Sequence, residues 1–401
     1  MFDDISLLPP DPILGLLGRF RADPRDGKID LGVGVYQDEE GRTPVMRAVQ
    51  AAESMLLASQ TTKTYQGIAG DPEYNERMLA MLLGEGHVAL RDSRIRGVQT
   101  PGGCGALRIG AEVIRRARPD ARVWVSTPTW ANHIPLIGGS GLQILEYPYY
   151  DPATRGVDFD AMMSALEKVP AGDVVLLHGC CHNPTGADLT LEQWRELTAL
   201  TLRVGFTPYI DTAYQGLADG VEEDVAGMRH MMSAVPECVL AASCSKNFGI
   251  YRERAGGVYF LARDALRAEA VLSNAMSAAR QIYSMPPAHG ASIVSLILSD
   301  AALRADWLTE LGDVRSRIAG MRELLASSLE GNAAGTDFSF VTRQKGMFSF
   351  LGITPAQVTR LREEFGVYML DSTRINVAGI TPRNIAPLAA ALHAVLADTT
   401  A

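Results

Sequence analysis

Long hydrophobic runs, paired cysteine motifs and an N-terminal basic segment are all missing from this 401-residue chain. The longest stretch without a charged residue, 123–145, contains two prolines and three glycines, which excludes a membrane-spanning helix. The five cysteines form no CxxC spacing, so we expect free thiols in a reducing compartment. Residues 1–4 carry acid where a signal peptide carries base, which favours a cytoplasmic location.

Positive charge is also scarce, because 37 Lys and Arg face 46 Asp and Glu, for a net charge of −9. This balance argues against a protein that follows a nucleic-acid backbone, and we expect neither a nucleic-acid nor a membrane partner. The patterns GxGxxG and GxxxxGKS/T are absent, which removes the main support for dinucleotide and triphosphate sites. Apolar residues at 47% and charged residues at 21% are ordinary for a globular protein of more than one domain.

Short apolar runs alternate with amphipathic segments through the middle of the chain, which is typical of parallel βαβ units. Strands are predicted at Val123–Ser126, Val174–His178, Phe206–Asp211, Val239–Ser243 and Gly257–Leu261. Helices are predicted at Ala106–Ala117, at Leu191–Arg203 after a Thr190 cap, and at Leu303–Ser328, with short strands around Gly346–Leu351 and Ile375–Ala378.

These elements predict an α/β fold with two domains. The large domain, 44–313, has a mostly parallel sheet, and the smaller α+β domain is built from both chain ends, 12–43 and 314–401. Residues 1–11 are predicted to form an N-terminal arm.

Polar side chains follow four of the predicted strands. In chain order these are Trp130 and His133, then His182 and Asn183, then Asp211 and Tyr214, then Ser243 and Lys246. Because ligands bind beyond the carboxyl ends of parallel strands, we expect these side chains to line one crevice.

Lys246 is the candidate nucleophile, since a lysine just past a buried strand loses its proton more readily and can form a Schiff base. The ordinary alternative is a solvated loop lysine. The segment 243–246 also matches SxxK, the serine-nucleophile motif of penicillin-binding proteins, but its partner motifs SDN and KTG are absent.

The other candidates are each ambiguous when considered alone. Asp211 either pairs with a cationic ring nitrogen or caps a helix. The glycine-rich stretch 102–105 either binds phosphate at a helix N-terminus or is a plain loop. His178 and His182 flank Cys180 and Cys181, but the spacing matches no zinc pattern, so no metal is expected.

Together the segments resemble the aspartate and aromatic aminotransferases, a subgroup of the fold-type I pyridoxal-phosphate enzymes. The matching segments lie at 31–36 (LGVGVY), 100–107 (TPGGCGAL), 178–186 (HGCCHNPTG), 211–216 (DTAYQG), 243–249 (SCSKNFG), Arg254, 283–290 (YSMPPAHG) and 374–379 (RINVAG). They follow the family's order over nearly the whole chain, and the resemblance implies that the large domain binds pyridoxal phosphate.

The resemblance also implies a role for each matched residue. Lys246 would hold pyridoxal phosphate as a Schiff base and then serve as general base and acid, in ping-pong kinetics through pyridoxamine phosphate. The implied cofactor contacts are Asp211 to the ring nitrogen with His133 behind it, Tyr214 and Asn183 to the phenolic oxygen, Trp130 to the ring face, and Gly103, Cys104, Ser243, Ser245 and Arg254 to the phosphate. Arg374 would bind the substrate α-carboxylate beneath Gly34, and Trp130 and Asn183 also line the substrate.

The resemblance further implies a homodimer with shared sites, in which Tyr65 reaches the partner's phosphate and Arg280 the distal end of its substrate. Three residues depart from the aspartate enzymes: Met285 and Thr64 each replace Asn, and Gln37 replaces Lys. Each change removes a charge or an amide, so an aromatic ring would leave fewer buried polar groups unpaired. We expect a transaminase for aromatic amino acids and aspartate with 2-oxoglutarate; the alternative is a strict aspartate enzyme.

Overall fold

The computed structural model describes residues 1–8, 12–332 and 334–397. Residues 9–11 of the predicted arm and 398–401 of the predicted small domain lie outside these ranges. Among the described helices, none combines the length and hydropathy needed to cross a bilayer.

Helices and strands alternate along most of the chain. The α-helices are α1 (Pro12–Ala22), α2 (Arg47–Ser59), α3 (Pro72–Leu83), α4 (Val88–Arg91), α5 (Gly102–Ala117), α6 (His133–Gly138), α7 (Phe159–Leu166), α8 (Leu191–Val204), α9 (Ala226–Ala234), α10 (Ala265–Ile282), α11 (Ala288–Ser299), α12 (Ala301–Ser328), α13 (Phe340–Arg343), α14 (Pro355–Phe365) and α15 (Ile385–Ala397). The strands are β1 (Ile29–Asp30), β2 (Ile95–Pro101), β3 (Arg122–Thr127), β4 (Gln143–Pro148), β5 (Tyr150–Asp151), β6 (Gly156–Val157), β7 (Val174–His178), β8 (Thr207–Thr212), β9 (Cys238–Ser243), β10 (Ala255–Leu261), β11 (Phe348–Phe350), β12 (Val367–Tyr368) and β13 (Arg374–Asn376).

The chain divides into two compact units. The large unit comprises 44–316 and 344–346, and the small unit comprises 1–43, 317–343 and 347–401. The sequence predicts domain boundaries at 43/44 and 313/314, and the two units divide at 43/44 and 316/317. The second of these divisions falls inside α12.

The large unit is built on a seven-stranded sheet of order β2-β10-β9-β8-β7-β3-β4. The neighbours from β9 to β4 are parallel, whereas β10 is antiparallel to both β2 and β9. The hydrophobic core includes Leu107 of α5, Val125 of β3, Leu176 of β7 and Tyr209 of β8. The predicted mostly parallel sheet is confirmed.

The small unit has two short sheets, one pairing β1 with β12 in parallel and one pairing β11 with β13 antiparallel. Its own core includes Leu31, Leu325, Val358, Ile375 and Leu392.

The start of α5 differs from its prediction. The helix begins at Gly102, four residues before the predicted start, so the glycine-rich stretch forms its first turn rather than a preceding loop. Glycine is a poor helix former, which is why the sequence pattern predicts too short a helix. Gly102 has a φ of 66°, and a Cβ there would lie 2.4 Å from an Arg254 nitrogen. Only glycine allows this approach.

Candidate active site

The carboxyl ends of β7, β8 and β9 lie side by side in the sheet of the large unit. Asp211 on β8 is in register with His178 on β7, and Lys246 follows the last residue of β9, Ser243. The register brings together side chains that are far apart in sequence, as the strand-end argument predicted.

Asp211 is a buried carboxylate that remains charged. Burial favours its protonated form, but a hydrogen bond from His133 Nε2 to its Oδ2 (3.1 Å), together with nearby His178 and Lys246, lowers the pKa of Asp211 below its ordinary value. His133 is completely buried on α6, and the Trp130 ring meets its edge at 5.2 Å between centroids. An anion fixed in this way suits a cationic ring nitrogen.

Lys246 lies beside Tyr214 and close enough to Asp211 to lower its pKa. Its Nζ is 4.8 Å from the centre of the Tyr214 ring, and Asn183 Nδ2 donates to the Tyr214 hydroxyl at 3.3 Å. The turn that carries Asn183 is held by Asp188, whose carboxylate accepts the N–H groups of Cys181 and His182 at 2.7 Å each.

A cradle of donors lies at the N-terminus of α5. Arg254 donates to Ser245 Oγ at 3.3 Å, and Ser243 Oγ accepts the N–H of Ser245 at 3.2 Å. A Cβ on Gly103 would lie 3.2 Å from Ser243 Cβ, so this turn packs closely on the serine. Half-buried Cys104 follows in the same turn, with its sulfur 3.9 Å from Asn132 Nδ2. Hydroxyls, a guanidinium and a helix N-terminus together suit a phosphate group.

Arg374 and Gly34 both belong to the small unit. Arg374 is 3% exposed, donates to Gly32 O at 2.7 Å, and places its guanidinium 4.3 Å from the centre of the Phe348 ring. A Cβ on Gly34 would lie 2.8 Å from Phe348 Cζ, so glycine allows this stretch of backbone to pack against the ring.

Tyr65 and Arg280 lie on the surface of the large unit. Tyr65 is 94% exposed, and exposed Arg280 donates to the Ser284 hydroxyl.

Comparisons with known proteins agree with this arrangement. The family model "Aminotransferase class I and II" matches residues 26–392. The chain is 52% identical to an aspartate aminotransferase of Salmonella typhi over 99% of this chain and 100% of that protein. It is 51% identical to an aromatic-amino-acid aminotransferase of Paracoccus denitrificans, over 98% and 99% of the two chains. The structure of an aromatic-amino-acid aminotransferase from Burkholderia pseudomallei, covalently bound to pyridoxal phosphate, is also similar, with a TM-score of 0.96 and 41% identity over 99% of each chain.

The chain belongs to the class I and II aminotransferases. This aminotransferase has the residues that such a cofactor requires: an amine at Lys246, a buried anion at Asp211 and the phosphate cradle at α5. These side chains therefore fit pyridoxal phosphate on their chemistry as well as on family membership.

Sequence reasoning missed a chain of polar contacts behind Asp211. Thr129 Oγ1 lies 2.8 Å from His133 Nδ1 and 3.2 Å from His178 Nε2. The centre of the His178 ring lies 4.1 Å from that of His182, with the two rings tilted by 44°, and His182 Nε2 lies 3.0 Å from the Ser126 hydroxyl. The available signal in the sequence is the pair His178 and His182 beside the cysteines, of which the strand-end pattern predicts only His182 in the crevice.

Within the described residues, one group of side chains is close enough together to hold a metal ion. Its ligand atoms, on Cys180, Cys181 and Asp224, lie within 4.8 Å of one another. Asp224 already accepts four backbone N–H groups, from Gly216, Ala218, Asp219 and Gly220. Burial and nearby acidic groups raise the pKa of the Cys181 thiol, which disfavours the thiolate form that a metal requires. The position of the Asp224 carboxylate is therefore explained by its hydrogen bonds to the turn 216–220, without a metal ion.

Proposed function

We propose that this aminotransferase moves amino groups between aromatic amino acids, as well as aspartate, and 2-oxoglutarate. The observation that carries the proposal is the buried, charged Asp211 beside Lys246 and Tyr214 in a chain of this family. Bound pyridoxal phosphate supplies an electron sink for the negative charge that develops at the substrate Cα.

The residues of the chain divide the remaining work among them. Lys246 Nζ holds the cofactor before substrate binds, then takes the substrate Cα proton and returns it on the next step. With the cofactor bound, Asp211 would keep its ring nitrogen protonated, and Tyr214 and Asn183 would hydrogen-bond its phenolic oxygen. Trp130 would contact the ring. The groups that would bind the phosphate are Gly103, Cys104, Ser243, Ser245 and Arg254.

Substrate binding is assigned to Arg374 for the α-carboxylate, with Gly34 beside it and Trp130 and Asn183 lining the site. Both aspartate and aromatic-amino-acid aminotransferases are found at about half identity, which supports dual specificity. Activity toward aromatic amino acids is supported by Met285, Thr64 and Gln37. Each has lost the amide or the charge that the aspartate enzymes have at that position, so a ring that enters leaves fewer buried polar groups unpaired. A strict aspartate enzyme is the alternative.

Replacing Lys246 tests the chemistry directly. We expect Lys246→Ala to lose turnover by far more than tenfold, because the nucleophile and proton carrier are both removed. Borohydride should fix the cofactor covalently to the wild type and to Lys168→Ala, a matched change at an exposed lysine, but not to Lys246→Ala. A Lys246→Ala enzyme that keeps turnover within tenfold, or is still labelled, would contradict the assignment.

We also propose a homodimer with composite sites, to which Tyr65 and Arg280 contribute across the interface. Exposed apolar residues support a partner surface on the large unit: Val45, Met55, Leu57 and Ile282.

We also propose a cytoplasmic location, which agrees with the five cysteines being free.

Mixed dimers test the sharing of sites. Lys246→Ala and Arg280→Ala subunits, each weak alone toward aspartate, should recover activity on mixing, because one site per heterodimer is then intact. No recovery after subunit exchange has been verified would count against shared sites.

A further inference from the structure

Asn376 is a completely buried residue on β13, and both polar atoms of its side-chain amide are hydrogen-bonded. Its Nδ2 donates to Val33 O and to Val35 O, both at 2.7 Å. Its Oδ1 accepts the N–H of Ala378 at 3.1 Å, and its own N–H donates to Leu31 O at 2.7 Å. One side chain thus fixes two alternate carbonyls of the segment 33–35.

The residue between those two carbonyls is Gly34. It packs on Phe348, which is the cross-strand partner of Asn376 in the sheet of β11 and β13. The same phenyl ring lies under the guanidinium of Arg374, and Arg374 also donates to Gly32 O. The backbone at 32–35, the phenyl ring and the guanidinium therefore form one packed set inside the small unit.

Within this set, Asn376 is the side chain that holds the backbone on both sides of Gly34. Its amide has two N–H groups, and each of them has one carbonyl to satisfy. Removing the donors leaves the half-buried carbonyls of Val33 and Val35 without these partners, and an aspartate would set oxygen against oxygen. In either case we expect the segment to move away from β13.

We infer that Asn376 is a positioning residue for the substrate carboxylate: it holds Gly34 against Phe348 and so fixes the pocket around the Arg374 guanidinium. The inference rests on the proposed function, in which Arg374 binds that carboxylate. Because Asn376 acts through backbone and ring, and not on the cofactor, its loss should weaken substrate binding more than the chemical step.

Two variants test this role, Asn376→Asp and the milder Asn376→Ser, which keeps one hydroxyl donor. We expect KM for both the amino acid and 2-oxoglutarate to rise about tenfold or more in Asn376→Asp and less in Asn376→Ser, with kcat within threefold and cofactor affinity unchanged. Amide hydrogen exchange in a peptide covering 31–38 should be at least fivefold faster.

Asn384→Asp is the matched control. Asn384 is another hydrogen-bonded amide of the small unit, donating to Gly379 O at 2.9 Å and accepting from Thr381 N–H at 2.8 Å. Its substitution should leave both KM and exchange at 31–38 unchanged. If Asn376→Asp does not fold, Asn376→Ser decides the matter.

Unchanged KM in a folded Asn376 variant, or a loss confined to kcat or to cofactor binding, would overturn the inference. Failure of the proposed function looks different, since the wild type itself would then show no transamination. In that case the exchange measurement still decides whether Asn376 holds the segment, and unchanged exchange would refute the inference by itself.

Discussion

Asp211 shows how a charge is kept inside the large unit. The cost of burial is offset by a histidine hydrogen bond and by nearby cationic or polar groups, so the pKa of the carboxyl lies below its usual value. His182, which lies behind it, is instead kept neutral. Burial and the neighbouring histidines lower the pKa of His182 well below its usual value. His182 is completely buried and hydrogen-bonds as a neutral ring to Ser126 and Thr185.

The low pKa of His182 predicts an acid-sensitive stability. The unfolded chain takes up a proton at this histidine below about pH 6.5, whereas the folded chain does not, so stability falls as pH falls. Relative to His182→Gln, the wild type should lose about 2 kcal/mol of unfolding free energy between pH 7 and pH 5. Urea unfolding at both pH values measures this difference.

A His182→Gln difference from the wild type that is the same at pH 7 and pH 5 would contradict this prediction. It would show that this ring is protonated as readily in the folded chain as in the unfolded one.

At the scale of elements, α12 supports the turn that carries Lys246. Trp307 Nε1 donates to Asn247 O at 2.7 Å, and its ring stacks on Phe248 with centroids 4.5 Å apart and planes 3° from parallel. The two residues after Lys246 are therefore fixed by a tryptophan sixty positions later in the chain.

Trp307→Phe separates the hydrogen bond from the stacking. The phenyl ring keeps the apolar contact, but Asn247 O loses this donor, which should cost about 1–3 kcal/mol of stability. We expect cofactor release to be about tenfold faster, because the Lys246 turn is less well held. Trp124→Phe is the matched control, because Trp124, on β3, also donates a hydrogen bond from its Nε1, to the Asp173 carboxylate at 2.9 Å. It should cost stability without faster release; equal release rates in the two variants would contradict the role of Trp307.

The elements that the sequence predicts are those whose pattern follows from burial. The apolar run of β7 matches its prediction residue for residue, and Thr190 caps α8 with Gln193 in a capping box. β4 was missed because it is a largely exposed edge strand, and β2 because Arg, Gln, Gly and Pro interrupt its apolar pattern. The antiparallel direction of β10 depends on pairing with distant strands, which no local pattern records.

The residues of the candidate site also differ in how far the sequence predicts them. The strand-end pattern predicts Asp211, Lys246, Asn183 and Tyr214. Thr129 and Asn376 are not visible, because each acts through hydrogen bonds to residues that only the fold brings near. Resemblance to a family supplies roles for some matched residues, but it assigns none to Asn376, although that residue lies in the matched segment 374–379, and Thr129 lies in no matched segment.

At the scale of the whole molecule, the chain forms two units, each with its own hydrophobic core. The large unit holds the residues assigned to the cofactor, and the small unit holds Arg374 and Gly34. The family match, from residue 26 to 392, includes residues of both units. In the proposed function, substrate choice depends on a few side chains, namely Arg280, Met285, Thr64 and Gln37.

The most direct test of the account is kcat/KM for phenylalanine against aspartate, with 2-oxoglutarate as the common acceptor. Replacing amides and a lysine by Met285, Thr64 and Gln37 should let a ring enter without leaving buried polar groups unpaired, while Arg280 still serves aspartate. We expect efficient turnover of both substrates, with any preference for aspartate below about a thousandfold. A preference for aspartate beyond about a thousandfold, or more than about 4 kcal/mol of discrimination, would contradict it and establish the strict aspartate enzyme.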